Sequence, residues 1–158
     1  LTTPIQEPDD AIRRAIANLS TQIGLLTDEM RLFRLETQRN SIMMELLLNE
    51  DRLAKVEDKI QETANNKAQL DAREQEIVRR SRNIQGELLV RGGLRRDEAE
   101  AAIRADLQRA LDDVHSQQAV SQQRSADLTE QATRLRARGE TLRRKLDLLD
   151  LKNEKEEK

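Results

Sequence analysis

Apolar residues fall at Ile12, Ile16, Leu19, Ile23, Leu26, Met30 and Phe33, in alternating steps of four and three. At 3.6 residues per turn this spacing lines one face of an α-helix, and a row so regular is a heptad seam. A seam this narrow is stable when another helix packs against it, so the stripe is expected to be buried against a partner. Gly24 beside it marks either a close helix approach or a weak point.

Around Met30 to Leu35 the seam changes phase, and a second one runs through Leu32, Leu35, Arg39, Ile42, Leu46, Asn49, Leu53, Val56 and Ile60. A phase shift of this kind alters the supercoil without breaking the helix. The seam weakens at Thr63, Lys67 and Glu74 and recovers at Leu70, Ile77, Ile84 and Leu88. Asn65-Asn66 is its weakest helical point, and a turn there would divide the chain into three shorter helices. Composition agrees with long helices: Phe33 is the single aromatic residue, 37% of residues are charged, and there are only five glycines and two prolines. Without aromatic bulk the core is thin and extended rather than globular. The two charge signs nearly cancel, at −2, which suits a salt-bridged helix surface better than disorder.

The chain can reverse at Gly92-Gly93, its only adjacent glycines, because glycine adopts positive φ without steric cost. Asp97 can then cap a new helix, with Glu100 reaching back to the cap. The second arm places Ile103, Leu107, Ala110, Val114, Leu128, Leu135, Leu142 and Leu149 on one stripe, with Gln117, Ser121 and Arg124 as a polar stretch. Reversal at Gly92 pairs residues whose numbers sum to about 184, a register that sets one weak section against the other. It also turns the basic run Arg134, Arg136, Arg138, Arg143, Arg144 and Lys145 toward Glu36, Glu45, Glu50 and Asp51.

The predicted fold is therefore all-α, a long antiparallel helical hairpin or coiled coil that reverses at Gly92-Gly93 and dimerises. An irregular leader (1–8, with Asp9 or Asp10 as the following cap) precedes one elongated domain (9–151), followed by a polar, frayed tail (152–158). Within the domain, arm one covers 9–90, the turn 91–96 and arm two 97–151. An unbroken first arm would extend on the order of 120 Å. It overhangs the second, leaving Ile12, Ile16, Leu19, Ile23, Leu26, Met30 and Phe33 as the dimerisation seam.

Chemistry is sparse. His115 is the sole histidine, adjoins the seam and reads as a solvated surface residue; no second imidazole completes a zinc set. The pairs Glu50-Asp51, Glu57-Asp58 and Asp112-Asp113 read as solubilising charges, with no calcium loop or phosphate-binding glycine loop near them. No serine or threonine has a local base. Asn18-Leu19-Ser20 matches a glycosylation acceptor, but on a helix rather than a loop. The sequence thus predicts no enzyme, cofactor, metal or small-molecule substrate. It predicts instead a structural or protein-interaction module: a homodimer with a further protein partner.

The alternative is an amphipathic helical protein on lipid or membrane surfaces, against which the narrow stripe and the lack of tryptophan count. A third reading is nucleic-acid binding through a basic hairpin tip at Arg91, Arg95 and Arg96, without aromatic residues for stacking. No apolar run is long enough to span a bilayer. The absence of cysteine and of an initiating methionine is compatible with export to the periplasm or the exterior, and the compartment stays open.

Overall fold

Helix-forming residues in almost unbroken succession give three helices among the described residues. The computed structural model describes residues 6–91 and 95–157, the side chains of 6, 7, 90 and 91 excepted, and among these only Asn83 and Arg95 are not helical. The elements are α1 (Gln6–Arg82), α2 (Ile84–Arg91) and α3 (Arg96–Glu157).

α1 begins earlier than the leader assignment implies, with Pro8 in its first turn. A proline is tolerated there because the N–H it lacks would have no intrahelical acceptor. Asp9 and Asp10 consequently lie inside the helix rather than capping it, where their charge still favours the orphan N–H groups. Asn65-Asn66 does not interrupt α1. The break comes at Asn83, whose N–H donates to the carbonyls of Arg79 (3.2 Å) and Arg80 (3.1 Å) while its own carbonyl accepts from Gly86 (3.1 Å) and Glu87 (3.3 Å). One residue thus closes α1 and opens α2, a role asparagine fills well because it leaves helical geometry readily. Gly86 leaves room for its amide, since a Cβ at that position would stand 2.8 Å from Asn83 Oδ1.

α3 starts at Arg96, and the Ala99 N–H donates to the Arg95 carbonyl at 3.1 Å. Arg95 therefore holds the cap position expected of Asp97, which sits in the first turn beside Glu98. Acidic side chains are favourable there through the helix dipole alone, and Glu100 pairs with Arg104 at 2.8 Å instead of reaching back. The expected reversal residues Gly92 and Gly93 lie outside the described residues.

Two compact units form, one from α1 up to Asn49 with α3 from Arg138 onward, the other from Glu50 to Ala137. In the first, Arg39 Nε meets Asp150 Oδ1 at 2.9 Å, Arg138 pairs with Glu45, and Asn49 lies against Gly139, so the two helix segments run in opposite senses. Leu142 is fully buried and Leu146 nearly so, and Leu35, Ile42 and Leu46 of α1 are partly buried. Asn49 is buried as well, and no buried side-chain polar atom among the described residues lacks a hydrogen-bond partner. In the second unit the core is Ile77, Ile84, Leu88, Ile103, Leu107 and Val114, flanked by Ala99, Ala110 and Leu111.

The register differs from expectation. Contacting pairs in the first unit, Asn49 with Gly139 and Arg39 with Asp150, have numbers summing to 188 and 189 rather than about 184. In the second, Asp71 with Gln118 and Glu74 with His115 sum to 189. The offset is set by these contacts between the helices, since apolar spacing within one helix leaves it open. The shift sets Asn153 level with Leu35, both partly buried, and α3 continues to Glu157 instead of fraying from residue 152. It accompanies a second difference. After Ala110 and Val114 the inward positions are Gln118, Ser121 and Ser125, not Gln117 and Arg124, because two successive steps of four move the seam by one residue.

The glycines of the first unit should respond oppositely to substitution. Nothing lies within 4 Å of a Cβ at Gly24, so Gly24→Ala is expected to stabilise by up to about 1 kcal/mol. A Cβ at Gly139 would stand 3.2 Å from Asn49 Nδ2, so Gly139→Val should destabilise by about 1–3 kcal/mol through overpacking. Leu142→Ala, which empties a fully buried site, should cost about 2–5 kcal/mol. Thermal melts followed by circular dichroism at fixed protein concentration check all three.

Candidate interaction surface

The helix that buries Leu35, Ile42 and Leu46 on one side leaves another row open. Ile12, Ile16, Leu19, Ile23, Leu26, Met30 and Phe33 are all on α1, and all are exposed, from 55% at Ile12 to 68% at Phe33. A single exposed leucine is ordinary, but seven in seam spacing form a continuous apolar face of the kind that marks an interaction site. Leu25 and Leu32 are exposed as well, at 59% and 46%, but on the opposite side of the helix. Gly24 meets nothing, so no close approach within the chain accounts for it. The face offers no group that could do chemistry; what it can do is receive another apolar surface.

Two of the three arginines expected at a tip are engaged by neighbouring side chains. Arg95 pairs with Glu98 at 3.4 Å, Arg96 Nη2 donates to Gln85 Oε1 at 3.3 Å, and the Arg91 side chain lies outside the described residues. Nearby, Arg79 pairs with Glu76 at 2.6 Å and Arg80 with Glu87 at 2.7 Å, across the Asn83 break. The second basic run is likewise engaged, though mostly by partners other than those expected. Arg138 reaches Glu45 as anticipated, whereas Arg136 meets Glu57 at 2.9 Å, and Arg134 and Arg144 pair within α3 with Glu130 and Glu140. At these exposures each pair contributes little, and only those between α1 and α3, Arg138 with Glu45 and Arg136 with Glu57, favour one orientation of the helices.

His115 is not merely solvated. Its Nε2 lies 3.0 Å from Glu74 Oε1, while Gln118 Nε2 donates to Glu74 Oε2 at 2.7 Å and to Asp71 Oδ1 at 3.0 Å. The Gln118 amide, and after it the His115 ring, holds the Glu74 carboxyl below its ordinary pKa. Asp71 and Gln118 escape a reading by heptad positions because the seam steps aside at Val114. Next to this cluster a shallow groove lined by Thr63, Asn66, Arg73, Ser121 and Arg124 separates the helices. Thr63 is buried at its wall and satisfies its hydroxyl within α1, donating to the Lys59 carbonyl at 2.8 Å.

Among the described residues no helix is long and apolar enough to cross a membrane. No family model, curated protein or solved structure matches the chain.

A depressed carboxyl pKa favours the folded state above the ordinary carboxylate range, and that contribution disappears as pH falls through the depressed value. Glu74→Gln should therefore lower the melting temperature at pH 7, and the difference from the parent should shrink toward zero as both are titrated below the carboxylate range. Paired melts from pH 7 to pH 2.5 check this.

Proposed function

We propose that this protein is a non-enzymatic structural or protein-interaction module, a coiled-coil spacer, clamp or assembly element that self-associates through the seam from Ile12 to Phe33. The observation that carries the reading is that seven seam-spaced apolar side chains remain more than half exposed on α1, whereas Leu35, Ile42 and Leu46 of the same helix are partly buried. In water such a face is covered, and the simplest cover is the same face of a second copy, because a two-fold pairing closes on itself. The arms joined by α2 act as an antiparallel hairpin in this reading, supported by ion pairs and buried leucines between α1 and α3 that run in opposite senses within each unit.

Charge arrangement supports a protein partner over nucleic acid. Arg95 and Arg96 spend donors on Glu98 and Gln85, and the net charge of −2 supplies no long-range attraction to phosphate. The lipid-surface reading requires a broad apolar face with aromatic anchors, and Phe33 is the only aromatic residue in the chain.

Sedimentation equilibrium of the full chain should give a dimer, and Ile16→Asp with Ile23→Asp should weaken it by about 3 kcal/mol or more, a hundredfold in dissociation constant. A monomer at all concentrations together with helix gain on lipid vesicles would replace this reading by the lipid one. Spin labels at Asp58→Cys and Ala126→Cys, diluted into unlabelled protein, should lie roughly 20–35 Å apart within one chain, because packed helix axes are about 8–10 Å apart.

A further inference from the structure

α1 carries two apolar seams in the first unit, and they overlap in sequence. The open one does not stop at Phe33. Continuing its alternation of four and three leads to Thr37, Asn40, Met44 and Leu47, and the last two are 61% and 57% exposed, as open as Ile16 and Leu19. Leu35, Ile42, Leu46 and Asn49, which α3 covers, lie between these positions in the sequence. At 3.6 residues per turn the two sets point about 180° apart, so α3 occupies the face opposite the open stripe and does not obstruct it.

Resting on the self-association reading above, we propose that a second copy of this chain covers the whole stripe from Ile12 to Leu47, parallel and in register, on the side of α1 away from α3. Three features select this occupant and its direction. First, along the stripe Ile16 and Ile23 hold the heptad position a, and Leu19 and Leu26 the position d, the combination that favours two parallel strands. Second, a parallel pair sets each flanking residue before position a opposite the residue five places on in the partner. That rule matches Glu29 with the partner's Arg34, and Met43 with the partner's Leu48, each twice by symmetry. An antiparallel pair overlapping the same apolar stretch would instead bring Arg13 near the partner's Arg34.

Third, the two polar members of the stripe, Thr37 and Asn40, meet their own counterparts in a parallel in-register pair, where hydroxyl and amide can donate and accept reciprocally. An antiparallel pair that set Thr37 against Asn40 would leave residues 12–26 without apolar counterparts. A polar pair inside an apolar seam also penalises slipped registers, in which the same groups would face methionine or phenylalanine.

The test uses the full chain, which has no native cysteine. Leu19→Cys and Leu47→Cys, prepared separately and mildly oxidised, should each give the disulfide-linked dimer, because facing Cα atoms at such positions come within the range a disulfide bridges. Glu29→Arg should weaken the dimer severalfold at low salt, and adding Arg34→Glu to it should restore the affinity. Cross-linking at Leu19→Cys but not at Leu47→Cys would overturn the extension behind α3. A dimer by sedimentation in which neither site cross-links, or only Leu47→Cys does, would overturn the parallel in-register arrangement. Sedimentation as a monomer would overturn the self-association reading itself.

Discussion

Rows of leucine, isoleucine and valine, interdigitating between α1 and α3, are the interaction on which the rest of this structure depends. Each row is two residues wide, set by steps of three and four, and with one aromatic residue in the chain there is nothing bulkier to fill a wider core. The result in the second unit is a thin aliphatic core, a cluster of six residues from Ile77 to Val114 with Leu128 and Ala132 buried farther along α3. Such a core leaves most of every helix in water, which is why the surface is densely charged and why most ion pairs lie within single helices or along the edges of the seam.

A thin seam also makes each polar residue in it consequential. Thr63 is accommodated because its hydroxyl returns to its own helix, and Asn49 because Gly139 opposite it has no side chain. Glu74 is drawn into a network with His115, Gln118 and Asp71. The Asn49 and Glu74 contacts match one position to a particular partner, whereas leucine against leucine would pack almost as well one heptad along. Polar seam residues thus define register in a structure whose apolar residues define only faces.

The two faces of α1 in the first unit divide its work. One is covered by α3, with Leu142 and Leu146 lodged against it; the other, beginning at Ile12, is open along its length. From Leu35 to Asn49 the helix is already ordered by α3, so a partner at Met44 and Leu47 would meet a preformed surface there instead of paying the entropy of folding a free helix. That arrangement suits a protein whose mechanism is geometric: binding, spacing and orientation in place of reaction chemistry.

Periodicity alone determined a good deal. That the described residues are almost all helical, and that Leu35, Ile42, Leu46, Leu53, Val56 and Ile60 turn inward, follow from apolar spacing, a local property of the helix, although Leu32 and Arg39, expected in the same seam, are exposed. The offset between helices does not follow from it, because a repeat states which side of a helix is apolar and not which turn of the neighbour it meets. Tertiary structure decided that offset, and with it the partial burial of Asn153 and the contact of Arg136 with Glu57. It also decided the break at Asn83 over the more conspicuous Asn65-Asn66, and the pairing of His115 with Glu74. In each case the deciding energy comes from residues far apart in the chain, packing or hydrogen-bonding only once the helices lie side by side.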